Sequence, residues 1–270
     1  MLTLVPTPIG NLQDISQRAL DALENAQILL CEDTRVAKRL LFLLQERQNF
    51  NPNIEQFIAL HSHNEKEWLE KIEPDFFSKN VVYISDAGMP GISDPGAQIV
   101  RYCIEKRIEY DVLPGANALL SAYAASGFLQ TNFLFLGFLP HKGHDREEKL
   151  QEALYSGYNT ILYESPHRLL KLLERISEIE PNRVLFLAKE LTKMHQTYYK
   201  ENSKNLYNLL KNDTVKGEWV VIIEAGSSSK LSLTQNDILE LNLPKKQSAK
   251  LISRITGESI KDCYERLVGK

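Results

Sequence analysis

Short apolar runs alternate with longer stretches of helical period along almost the whole chain, and most of the runs end in a glycine- or proline-rich turn. LTLVP (2–6), QILLCED (27–33), FIAL (57–60), VVYIS (81–85) and YDVLP (110–114) read as strands. RVAKRLLFLL (35–44), EKEWLEKIEPDFF and AQIVRYCIEKR read as helices between them, and Ile15, Leu20 and Leu23 fall near helical spacing behind a cap at Asp14. The pattern restarts after Gly127, with strands at 132–140, 160–165, 183–190 and 217–226 and helices near 146–155, 167–179 and 203–211. Such alternation predicts an α/β protein with a parallel sheet covered on both faces. GSSSKLS (226–232) has the composition of a linker, and three short helices fit near 234–241, 245–255 and 259–268. The predicted units are 1–128, 129–226 and a basic helical tail, 233–270, resembling a helix-turn-helix with Gly257 at its turn.

With 270 residues, 43% of them apolar and 25% charged, the chain can bury a sizeable core, which excludes collagenous, disulfide-rich and wholly disordered classes. Cys31, Cys103 and Cys263 are far apart and form no CxxC pair, which favours a reducing, cytoplasmic setting. No apolar run approaches membrane-spanning length, and the N-terminus lacks the marks of a signal peptide, so no membrane association is expected. The net charge of −3 argues, as an average, against a nucleic-acid partner. The average hides a gradient: residues 245–270 carry +4 and the remainder −7.

GxGxxG, GxxxxGK[ST], GxSxG and HExxH are all absent. Three small-residue turns instead follow successive strands: PTPIGN (6–11), SDAGMPGISDPG (85–96) and PGANA (114–118). Glycine at a strand's carboxyl end lets the backbone approach a ligand, and open α/β sheets bind ligands at that edge. EDTR (32–35) and ESPHR (164–168) also follow strands; each reads either as a helix cap, with Asp33 or Thr34 and with Ser165 before Pro166, or as charged groups set at a site. AKELTKMHQ (188–196) repeats the arrangement. HSHN (61–64) would put two imidazoles on one strand face, but no third ligand accompanies them and no metal is expected.

PTPIGN, EDTR, SDAGMPGISDPG, PGANA, GFLP, ESPHR, KELTK and KGEW occur in this order, and together they resemble the tetrapyrrole methylase-like (class III) methyltransferases. Within these they resemble the group that methylates the ribose 2′-hydroxyl of a cytidine (1402, rRNA numbering) in 16S rRNA. The resemblance implies two α/β domains, a parallel-sheet N-terminal one and a mixed-sheet second one, with S-adenosylmethionine between them, and a homodimer acting on the small ribosomal subunit. It implies cofactor contacts from Pro8, Gly10, Ser85, Asp86, Ala87, Gly88, Met89, Asn117 and Ala118, and from Tyr163, Leu191, Thr192 and Trp219 in the second domain. Met89 and Asn117 depart from the family's more usual threonine and serine.

A ribose hydroxyl is a poor nucleophile, so its methylation calls for a positioned base or a polarising cation. Asp33, Glu32 and Glu164 are the candidate bases, Asp33 first, and Lys189 is the candidate cation. Candidate RNA contacts are Arg35, Lys142, Arg146, His167, Arg168 and Lys193, with Lys245, Lys246, Lys250 and Arg254 in the tail. A porphyrinoid C-methyltransferase of the same fold, or an RNA-binding module with an inactive cleft, are the competing readings.

Overall fold

The computed structural model describes residues 1–47, 50–226 and 235–268. Strands β1 (Leu2–Leu4), β2 (Ile28–Cys31), β3 (Gln56–Ala59), β4 (Val81–Ile84) and β5 (Tyr110–Val112) form a wholly parallel sheet in the order β3-β2-β4-β1-β5. Helices α1 (Gln17–Glu24), α2 (Thr34–Arg47), α3 (Glu65–Lys71), α4 (Ala97–Lys106) and α5 (Ala118–Ser126) accompany it. β2 (ILLC) and β4 (VVYI) are apolar throughout because both faces of the sheet are covered. Leu29 and Cys31 pack with α1 and α2, whereas Ile28, Leu30 and Tyr83 pack with α4 and the flank of α3.

Two local readings need correction. Ser16, not Asp14, caps α1: its side chain accepts the Ala19 N–H, and Asp14 ends a short 3-10 turn. The helix over EKEWLEK stops at Lys71, and Pro74 starts a separate 3-10 turn.

The second sheet is mixed, in the order β6-β7-β10-β8-β9. β6 (Phe133–Phe138) pairs parallel with β7 (Asn159–Glu164). β8 (Val184–Lys189), β9 (Thr197–Asn202) and β10 (Trp219–Ile223) complete it through antiparallel pairings. Helices α6 (His144–Tyr155), α7 (Pro166–Ile179) and α8 (Ser203–Leu210) bury one face. The other face, with Ile161, Phe186, Ala188, Val220 and Ile222, is covered by Leu119 and Ala122 of α5. Sequence reading missed both α5 and β9. ALLSAYAAS in α5 lacks an amphipathic period, and TYYKEN in β9 is a polar edge strand.

The tail comprises α9 (Gln235–Glu240), α10 (Lys245–Thr256) and α11 (Ile260–Val268) around Ile238, Ala249, Ile252 and Cys263. Gly257 ends α10 with φ 76°, the left-handed conformation expected of a turn glycine. Most of the GSSSKLS linker, and residues 233–234 at the start of the tail, lie outside the described residues.

Candidate active site

The connections from β1 through β2 to β3 run one way along the first sheet, and those from β3 through β4 to β5 run the other way. The loops leaving the neighbouring strands β1 and β4 therefore part towards opposite faces, which opens a crevice at their carboxyl ends. Thr7 and Gly88 stitch these loops together: the N–H of each donates to the carbonyl of the other, at 2.9 and 3.0 Å. Gly88 has φ 88°, a backbone that suits glycine. The far end of the 85–96 loop is held by buried Glu65, whose carboxylate accepts the N–H groups of Gly96 (3.2 Å) and Ile99 (3.3 Å).

Above the crevice lies a cavity of about 470 Å³, lined from the first half by Ile9, Glu32, Asp86, Ala87, Gly88, Met89, Asp94, Asn117 and Ala118. Tyr163, Glu164, Leu191, Trp219 and Val220 line it from the second sheet. Pro8, Gly10, Ser85 and Thr192 are not in its wall but build it. Ser85 donates through Oγ to the Gly88 carbonyl at 3.3 Å. Pro8 and Gly10 flank the wall residue Ile9. Asn117 caps α5 by accepting the Leu120 N–H at 3.1 Å. Asn11 N–H donates to Thr192 Oγ1 at 3.1 Å, which latches the first loop to the second half. Gly10 permits that closeness, because a Cβ there would stand 2.5 Å from Lys193 Cγ and 2.9 Å from the Leu191 carbonyl. Sequence reading did not single out Ile9, Ile92, Ser93, Asp94, Phe138 or Glu218 of the wall, although each lies inside a motif it drew on: PTPIGN, SDAGMPGISDPG, GFLP or KGEW.

The ends of β2 and β4 brace each other through the Glu32 and Asp86 carboxylates. Glu32 Oε1 accepts the Asp86 N–H at 3.0 Å, and Asp86 Oδ1 accepts the Asp33 N–H at 3.3 Å. Burial, with the Asp94 and Asp86 charges adding to it, pushes the Glu32 carboxyl up to about 7. Burial likewise raises Asp86 and Asp94. Asp33, the first candidate base, is turned elsewhere. Its Oδ2 lies 2.6 Å from Arg35 Nη2, its Oδ1 accepts the Arg35 N–H, and those bonds hold its carboxyl down at about 2. It also lies outside the cavity wall. A carboxylate so strongly committed is a poor proton acceptor.

Glu164 has a fully buried side chain and pairs with Arg168 Nε at 2.7 Å and Arg146 Nη2 at 3.1 Å. The same guanidinium groups donate to the carbonyls of Leu139 and Pro140. Arg146 and Arg168 thus each hold an internal carboxylate and a carbonyl, with side chains 18% and 17% exposed. Lys193 is similarly held between Glu190 (3.0 Å) and Glu218 (2.9 Å). Lys189 sits over the Trp219 ring, 5.6 Å from its centroid, and is not part of the cavity wall. Arg35, Lys142, His167, Lys245, Lys246, Lys250 and Arg254 are exposed, Arg35 while paired to Asp33.

His61 and His63 lie in the turn beyond β3 rather than on it, with ring centroids 5.9 Å apart. Among the described residues no group of three His, Cys, Asp or Glu is placed to hold a metal ion.

The arrangement is a two-sided cleft with an acidic floor, built from loops at strand ends and closed by a second, mixed sheet. The profile of the Tetrapyrrole (Corrin/Porphyrin) Methylases matches residues 1–207, and the chain belongs to that family. Among curated relatives, a protein of Campylobacter fetus is 48% identical, with 99% of this chain and all of the relative covered; its name is ribosomal RNA small subunit methyltransferase I. A Helicobacter pylori protein of the same name is 45% identical over 98% of this chain and 96% of its own. Solved structures with the same fold include the methyltransferase CobJ (17% identity, TM-score 0.57, 84% of this chain and 94% of that one). The cobalt precorrin-4 methyltransferase CbiF is another (14% identity, TM-score 0.58, covering 83% and 94%).

Proposed function

We propose that this chain transfers a methyl group from S-adenosylmethionine to the ribose 2′-hydroxyl of cytidine 1402 in 16S rRNA. Two full-length relatives named as small-subunit rRNA methyltransferases, together with a cleft that carries a poised carboxylate, support this reading above the others. The cavity volume falls within the range of small-molecule sites. Gly88 opens its wall, since a Cβ there would press on Ile9 at 3.2 Å. Ile9, Met89, Leu191 and Val220 offer apolar surface, and Glu32, Asp86 and Asp94 offer negative charge. These residues suit a ligand that carries both an apolar ring system and a cationic centre. The bound cofactor supplies a methyl group already activated on a sulfonium.

The protein's tasks are then positional and protolytic. The bracing of Glu32 by the Asp86 N–H holds one carboxylate oxygen in place. Glu32 accepts the proton of the ribose hydroxyl, and its raised pKa matches it to that work near neutral pH. Glu164, with Arg146 and Arg168, keeps the second-domain wall in place. Lys189 packs against Trp219. In this reading residues 1–128 and 129–226 are the two halves of the cleft and 233–270 the docking arm of a cytoplasmic homodimer. No helix among the described residues is long and apolar enough to cross a membrane.

The direct test incubates the protein with labelled S-adenosylmethionine and undermethylated small subunits, and maps the label. Label on the 2′-oxygen of cytidine 1402 is the expected result; label accepted only by a tetrapyrrole, or RNA binding without transfer, overturns it. Gly10→Val is expected to push the first loop off residues 191–193 and weaken cofactor binding about tenfold or more, measured by calorimetry. Neutralising Lys245, Lys246, Lys250 and Arg254 to glutamine is expected to flatten the salt dependence of RNA affinity and to spare cofactor binding. An unchanged salt slope returns α10 to a purely structural role.

A further inference from the structure

Helix α2 leaves the cleft rim two residues after Glu32 and buries Ala37, Leu41 and Leu44 against the sheet. Positions 35, 38, 39, 42 and 46 fall on the opposite face, as helical spacing requires. Phe42 stands near the middle of that outer face and is 56% exposed. More than half of that ring's surface is left in solvent, and it belongs to none of the buried positions of the helix. Its neighbours one turn away are Arg39 and Lys38, both exposed. Lys38 leans over the Phe57 ring at 5.0 Å, and Arg35 at the rim has an 89% exposed side chain although it is paired to Asp33 at 2.6 Å, so Lys38 and Arg39 are the cations the strip offers. Glu46 is the one acid on the stripe, at its far end. Within a body of residues 1–244 carrying −7, this is a local basic strip with an aromatic at its centre.

We propose that this face of α2 docks single-stranded RNA next to the target nucleotide, with Arg39 and Lys38 on phosphates and Phe42 stacked on a base. The inference rests on the RNA reading above. Cations spaced by a helical turn around an exposed ring are the usual equipment for holding single strands without reading their sequence. Arg35 to Phe42 spans about 10 Å along the helix axis, which leads away from the cleft that would receive the ribose. A second copy of this chain is a poor occupant, because a two-fold interface on this face would set the same cations against each other.

The test uses the full-length protein with cofactor bound and a synthetic RNA carrying the 16S segment around cytidine 1402. Phe42→Ala is expected to weaken RNA binding about tenfold, with little change in the salt slope. Lys38→Gln with Arg39→Gln is expected to lower the salt slope by about two. In methylation of undermethylated subunits the losses should fall on KM rather than kcat, with cofactor affinity and melting temperature unaltered. RNA affinity, salt slope and KM that all match wild type overturn the proposal. So does a variant whose one defect is loss of self-association in sedimentation. Failure of the wild-type chain to bind this RNA or methylate the subunits overturns the function and this inference together.

Discussion

Glu32→Gln is expected to lower the rate of methyl transfer by about 10²- to 10⁴-fold, the range that a positioned general base supplies. Cofactor affinity should be preserved, because glutamine keeps an oxygen that can accept the Asp86 N–H now bonded at 3.0 Å. The pH profile gives an independent check. A base works only when ionised, and Glu32 is held at about 7 chiefly by burial. The wild-type rate should therefore climb as pH rises through about 7 and level off above it, while the residual rate of the variant lacks that step. Asp33→Asn should leave the step in place, since Asp33 is already ionised well below that range. Single-turnover rates across pH 5–9 would decide it. A Glu32→Gln enzyme with near wild-type rate and an unchanged profile assigns the proton to another group.

The second large effect is structural. Glu164 is fully buried between Arg146 and Arg168, so removing its charge leaves two guanidinium groups facing a neutral side chain. Removing one partner of a buried ion pair costs about 3–5 kcal/mol. For a chain of this size that corresponds to a fall in melting temperature of about 10 °C. Glu164→Gln is the appropriate variant because it preserves volume, and scanning calorimetry reads the result. If the melting temperature stays within about 2 °C of wild type, the Glu164 network is not a stabilising one and a direct role in the cleft regains weight. The expected loss of activity in this variant follows from displacement of Tyr163 and Pro166 in the cleft wall rather than from a missing base.

Much of the site was legible because it is built from turns. PTPIGN, SDAGMPGISDPG and PGANA each announce a strand end through glycine and proline, and all three contribute to the cavity wall. Their meeting was less legible. The Thr7–Gly88 stitch joins residues 81 positions apart, and it exists because β1 lies beside β4. The choice between Glu32 and Asp33 shows the same limit. The two carboxylates are adjacent in sequence and equivalent by composition. The placement of β2 next to β4 sets Glu32 against Asp86, while the turn into α2 hands Asp33 to Arg35. The cations show the same limit. Arg146, Arg168 and Lys193 look in sequence like phosphate contacts, and folding supplies each with a carboxylate from a distant or neighbouring element. Helix α5 escaped notice because its apolar residues answer to a surface in the other half of the chain, not to its own period.

The sequence by itself determined the α/β alternation, the strand-end loops, the charge gradient towards the tail and the family, because each is written in local spacing or in ordered motifs. The tertiary structure alone decided which carboxylate faces the cleft, which basic groups stay exposed, and how α5 closes the second sheet. Those outcomes depend on strand order and side-chain direction, which bring together residues far apart in the chain, and local spacing carries no record of them.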